Sequence, residues 1–204
     1  MVREQVLERG VSDPAILRAM LEVPRHAFID EALGPQAYSE HSLPIGFGQT
    51  ISHPFTVALM AAALEIKPGD SVLEVGTGSG YQAAVLARLC ANVLTLERFS
   101  GLAARARRNL DRVGAYNVAV RVGDGTLGCS AEAPFDAIIV AAGGPEVPRP
   151  LIEQLVVGGR LVLPVGGADE QVLLRVRRGR DGPVFETLGD CRFVPLVGRF
   201  GFSA

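Results

Sequence analysis

Five groups of residues have types and spacings that could do chemistry. Gly76, Gly78 and Gly80 alternate in SVLEVGTGSGYQAAVLARL, with Glu74 inside the apolar run before them. Glu97 closes a second apolar run, NVLTLE, and Asp124 stands between Gly123 and Gly125. Gln49, Thr50, Ile51 and Ser52 place two hydroxyls one residue apart, just ahead of His53-Pro54. Glycines lacking a Cβ let a chain turn sharply and let a ligand lie against the backbone. The spacing G-x-G-x-G departs from G-x-G-x-x-G, the dinucleotide fingerprint that seats a pyrophosphate on a helix N-terminus. An acid two residues before the first glycine suits instead a ligand with a cationic amino-acid end and no pyrophosphate. S-Adenosylmethionine is such a molecule.

The other groups extend that reading. An acid at the position of Glu97 can accept both hydrogens of a ribose diol. Asp124 can accept from an adenine amino group, with its glycines allowing close approach. Ala141-Ala142-Gly143-Gly144 leaves room beside a sulfur. Thr50 and Ser52 add hydroxyl donors to the free N–H groups of a helix start, which together favour a carboxylate. Each group has a plainer alternative: a generic strand–turn corner, a surface acid, an Asp-Gly turn, a flexible loop, and a serine that only caps its helix. His26, His41 and His53 have no metal-ligand spacing, and His53 is expected to be a solvent-exposed loop residue. Nothing reads as a Ser-His-Asp triad, a P-loop or a pair of hydrolytic carboxylates.

These residues need particular elements to position them. The pattern predicts strands over Val72–Val75, Asn92–Glu97, Val118–Val122, Phe135–Val140 and Arg160–Val165. Helices are predicted over Gly80–Leu89, Ser100–Val113 and Pro148–Val156 between them. Alternating strands and helices mean a parallel sheet with right-handed crossovers. Five residues, Gly166 to Glu170, cannot hold a crossover helix, so Gln171–Arg177 and a strand near Phe185–Val194 should form an antiparallel edge. Helices are expected near Val2–Arg9, over Pro14–Glu22 after the Ser12-Asp13 cap, for a turn or two over Arg25–Ala32, and after Pro54. Gly34–Gly48 reads as irregular, and RFVPLVGRFGFSA as an apolar tail that packs on its own sheet edge or on a neighbour. The expectation is one domain over 1–204, in three parts: a helical and substrate-loop extension (1–53), an α/β cofactor core (54–165) and antiparallel strands (166–204).

Composition narrows the function classes. The 204 residues carry 48% hydrophobic and 21% charged side chains, enough for a packed core. A net charge of −2, no basic run and no tryptophan argue against gripping long nucleic acid. No apolar stretch is long enough to span a membrane, and the N-terminus lacks a signal-peptide core. Cys90, Cys129 and Cys191 are scattered and suggest a reducing cytoplasm with no metal site. Lys67 is the only lysine, a bias that fits genome composition or thermal adaptation equally.

VPRHAFID, LPIGFGQTIS, VLEVGTGSGYQAAVLA, GDG, APFDAIIV, GGRLVLPVG and RFVPLVG occur in an order that resembles the protein-L-isoaspartate O-methyltransferase family, over nearly the whole chain. VGTGSG is shared with many methyltransferases; GQTIS followed by Pro is the specific block. The resemblance implies a Rossmann-like class I S-adenosylmethionine-dependent methyltransferase fold, α/β, with helices on both faces of a mostly parallel sheet. It puts the functional serine on Ser52 with Thr50 beside it. It puts cofactor contacts on Gln49, Thr50, Ile51, Ser52, Glu74, Gly76, Thr77, Gly78, Gly80, Glu97, Arg98, Asp124 and Gly125. The implied reaction moves a methyl group from S-adenosyl-L-methionine to the free α-carboxylate of an L-isoaspartyl residue in a damaged protein or peptide, D-aspartyl being the other candidate acceptor. The ester then collapses to a succinimide, and S-adenosyl-L-homocysteine is the co-product. The expected protein is a monomer with no nucleic-acid or membrane partner. The family usually has Thr or Gly where this chain has Ala141, and often Ala or Pro at Gly143 and Gly144; these departures bear on substrate preference. Competing readings are a methyltransferase of a small molecule or RNA, a non-catalytic cofactor-binding module and, for want of the third glycine spacing, least of all an NAD-linked oxidoreductase.

Overall fold

A computed structural model describes residues 1–167 and 170–203. Five strands form the parallel part of the sheet: β3 (Ser71–Val75), β4 (Asn92–Glu97), β5 (Val118–Val122), β6 (Phe135–Val140) and β7 (Leu155–Gly166). Two antiparallel strands, β8 (Gln171–Arg178) and β9 (Pro183–Cys191), extend it, giving the order β5-β4-β3-β6-β7-β8-β9. Ala168 and Asp169, in the predicted turn between β7 and β8, lie outside the described residues. The chain runs from β3 outward to β5, then crosses back to β6. The topological switch therefore lies between β3 and β6, where ligands bind in such sheets.

Alternate residues of each strand supply two apolar layers, as a pleated sheet covered on both sides requires. Val72, Val93, Ala137, Ile139 and Val162 face α1 (Pro14–Glu22), α2 (Pro54–Leu64), α3 (Tyr81–Leu86) and α4 (Ser100–Arg112) in one core. Leu73, Val75, Leu94, Ile138, Val140 and Leu161 form the other core, with Leu151 of α5 (Arg149–Glu153) and Leu196 of the tail. Helical cover is thus unequal: most helices lie on one face, and α5 with the tail closes the second.

Several boundaries differ from the sequence expectation, each for a local reason. The first segment is a π-helical turn over Val2–Leu7, and Arg25–Ala32 resolves into 3₁₀ turns over Arg25–Phe28 and Glu31–Gln36. The helix predicted over Pro148–Val156 stops at Glu153, because Leu155 is drawn into the sheet opposite Phe135. The helix predicted over Gly80–Leu89 ends at Leu86. The stretch read as irregular contains a hairpin, β1 (Leu43–Gly46) paired with β2 (Gln49–Ile51). Its tip turns on three residues with positive φ: Gly46 (87°), Phe47 (55°) and Gly48 (68°). Phe47 tolerates this strained conformation while stacking on Phe99, with ring centroids 5.3 Å apart.

Arg160 pins the end of the sheet opposite the site. Its buried guanidinium reaches Asp70 at 2.7 Å and donates to the backbone oxygens of Leu64 and Glu65 at the end of α2. The helix end, the turn before β3 and β7 are thereby fixed together.

Candidate active site

The site is built at the carboxyl end of β3. Gly76 and Thr77 both donate backbone N–H groups to the Leu96 carbonyl, which folds the turn back over β4. Gly76 (φ 93°) and Gly78 (φ 55°) adopt backbone that favours glycine. A Cβ on Gly78 would come within 3.1 Å of Ile45 Cδ1, so the hairpin packs directly on this turn. Glu97 accepts from the N–H of Gly78 at 2.8 Å and from Phe99 at 3.0 Å, which fixes its carboxylate at the strand end.

Behind the turn runs a buried polar chain. Thr95, the register partner of Glu74, donates to Glu74 Oε2 at 2.5 Å and shares a 2.6 Å hydrogen bond with Thr77. Glu74 is fully buried, and its Oε1 has no partner among the described residues. Burial pushes its carboxyl up to about 8, against the Thr95 hydrogen bond and with a push from the Glu97 charge. The Tyr81 hydroxyl and both amide atoms of Gln82 are likewise buried without partners. Buried polar atoms left unpaired are costly, so these are places where a ligand's donors and acceptors would be most effective.

Two cavities meet here. The first is bounded by Gln49, Thr50, Ile51, Ser52, Gly76, Thr77, Gly78, Glu97, Arg98 and Gly125, together with Tyr81, Gln82, Ala141 and the tail residues Val194–Val197. The second, wider one is bounded by Arg9, His53, Phe55, the end of β9 and Arg192. Thr50, Ser52, Ala141 and Val194 belong to both. Ser52 does not cap α2. The N-cap residue is His53, with no side-chain cap bond, and neither hydroxyl of the Thr50/Ser52 pair is committed to a described protein partner. His53 is half-buried on the second cavity, not a free loop residue; burial and then the Arg9 charge hold its pKa below the ordinary histidine value.

Three expected cofactor residues stand off the wall. Glu74 lies behind it. Gly80 (φ 91°) is the N-cap of α3, packed near Leu110 and Ala106. Asp124 has its carboxylate turned to protein: Oδ1 accepts from the Thr126 N–H (2.9 Å) and hydroxyl (2.7 Å), and Oδ2 from the Arg199 N–H (2.8 Å). Burial raises its pKa, but these hydrogen bonds outweigh that and hold it below the usual value. Asp124 in this state fastens the tail and presents no carboxylate edge to the first cavity.

Sequence reasoning missed Gln82, Tyr81 and the tail as parts of the wall. Gln82 was legible as a lone polar residue in the apolar helix YQAAVL. The tail was not, because it is placed by long-range bonds: Gly143 N–H to the Val194 carbonyl, and Leu196 N–H to the Gly143 carbonyl.

The fold and the site together define a class I S-adenosylmethionine-dependent methyltransferase. The family described as protein-L-isoaspartate(D-aspartate) O-methyltransferase matches residues 1–201. The protein-L-isoaspartate O-methyltransferase of Syntrophotalea carbinolica is 57% identical over 99% of this chain and 94% of its own. That of Geobacter metallireducens is 55% identical over 100% and 94%. Among solved structures, a protein-L-isoaspartate O-methyltransferase superposes with a TM-score of 0.88 at 30% identity, covering 98% of this chain and 67% of that one. A Plasmodium falciparum counterpart in complex with S-adenosyl-L-homocysteine gives 0.83 at 27%, covering 96% of each chain. The chain belongs to the protein-L-isoaspartate O-methyltransferase family, and its cofactor is S-adenosyl-L-methionine.

Proposed function

We propose that this protein transfers a methyl group from S-adenosyl-L-methionine to the α-carboxylate of L-isoaspartyl residues in damaged proteins, with Thr50 and Ser52 as the residues that position that carboxylate. One observation carries the assignment of roles: both hydroxyls lie on the wall common to the two cavities and are free of described protein partners. The first cavity suits the cofactor. Its glycine turn offers bare backbone, Glu97 suits a ribose diol, and the unpaired atoms of Gln82, backed by Glu74, suit an ammonium and carboxylate. When bound, S-adenosylmethionine supplies a methyl group activated on a sulfonium.

The chain's own task is then alignment. A carboxylate with a pKa near ~4 is ionised at pH 7 and needs no general base. Holding it in line for attack can remove ~7–11 kcal/mol from the barrier. Neutral hydroxyls orient a carboxylate without quenching its nucleophilicity as an arginine would. Ile45 on the hairpin packs on the turn at Gly78, and Leu196 on the tail adds apolar lining to the first cavity. Residues from 1–53, 54–165 and 166–204 all contribute walls, which supports one domain; a monomer in the cytoplasm is part of the same proposal. No described helix is long and apolar enough to cross a membrane.

Labelled methyl transfer to an isoaspartyl peptide, with its aspartyl twin as control, tests the reaction; equal labelling of both, or of neither, sinks it. Ser52→Ala should lower kcat/KM by roughly 10–100-fold, the value of a hydrogen bond to a charged group, a larger loss than any change in cofactor affinity measured by calorimetry. Wild-type kcat/KM in that variant would remove Ser52 from the mechanism.

A further inference from the structure

We infer that the outer edge of β9 is the docking rail for the substrate's main chain: the polypeptide flanking the isoaspartyl residue adds to the sheet as one more strand. This rests on the proposed reaction, and it concerns how the acceptor is held and not what is done to it. β9 is the last strand of the sheet and pairs only with β8; no described segment occupies its other side. It is exposed along most of its length, Val184 and Phe185 included. An unpaired edge presents a row of free N–H and C=O groups and is a template for another chain.

The edge is continuous with the reaction cleft. β9 runs back toward the site, and its end, Leu188 to Cys191, walls the same cavity as Ser52. Opposite Leu173 and Leu174 the register slips, with Leu188 as an extra residue beside Gly189 (φ 131°). Such a bulge bends and twists a strand, here just where it enters the cavity. A peptide zipped onto the upstream part of β9 would therefore be led into the cleft that holds the two hydroxyls. Main-chain pairing also suits the task, because an isoaspartyl residue arises in no fixed sequence and only backbone contacts are common to all such substrates.

Two measurements on the wild-type protein test this. In the dead-end complex with S-adenosyl-L-homocysteine and an isoaspartyl peptide, hydrogen exchange should slow within residues 184–190; exchange there unaffected by peptide overturns the proposal. A series of isoaspartyl peptides, each with one backbone nitrogen methylated, should show KM raised about three- to tenfold per lost hydrogen bond at every second position on one side of the isoaspartyl residue. Intervening positions should stay near the parent value. A flat or aperiodic profile overturns strand addition while leaving the reaction intact, because the parent peptide is still methylated. A parent peptide that accepts no methyl group defeats the functional reading and this one with it.

Discussion

Glu74 is where residue chemistry and ligand binding meet. Its folded pKa of about 8 lies above the ordinary carboxylate range. Between that range and about pH 8 the folded protein holds a proton that the unfolded chain has released, so raising the pH through this window lowers stability. Thermal melts of the free protein should show that decline, and Glu74→Gln should flatten it. A cationic cofactor end nearby would favour the ionised acid. Calorimetry at pH 7 in buffers of different ionisation enthalpy should therefore detect a proton released on binding S-adenosylmethionine, and no such release in Glu74→Gln. Glu97 differs, since backbone N–H groups of Gly78 and Phe99 already fix it. Glu97→Ala should weaken cofactor affinity by about 10–100-fold, and unchanged affinity would count against a ribose contact. The types and places of these acids were legible in the sequence, because strand ends preceding glycines are where such a sheet presents ligands. Their different burial was not, since it depends on which strand face each occupies.

At the scale of elements, local signals were reliable where the element contained its own reasons. Asp13 accepts from the Ala15 and Ile16 N–H groups ahead of Pro14, and α1 spans the predicted Pro14–Glu22. β4, β5 and β6 likewise begin and end where their apolar runs do. The β1–β2 hairpin escaped notice because its strands have only 4 and 3 residues and turn on a strained Phe47. The Arg160–Asp70 pair was equally invisible, its partners lying 90 residues apart. Removing one member of a buried pair leaves the other uncompensated, so Arg160→Met should cost about 3–5 kcal/mol. Denaturant titration would measure that loss. Because the pair lies at the far end of the sheet, kcat/KM at low temperature should stay near wild type.

For the molecule as a whole, the tail beyond Arg192 completes the site. Val194–Val197 wall the first cavity, and Asp124 and Thr126 accept the N–H groups of Arg199 and Phe200. A chain ending at Arg192 should retain most of its sheet by circular dichroism yet lose measurable cofactor binding; a truncation that binds normally would show the tail to be dispensable. The sequence announced an apolar tail but not its berth, because the bonds that seat it join Gly143 to Val194 and Leu196 across some fifty residues. Ile45 packs on the glycine turn at Gly78, and Leu196 lines the same cavity from the tail. Segments on both sides of residues 54–165 thus wall one cavity, so an isolated α/β core should bind S-adenosylmethionine far more weakly than the 204-residue chain.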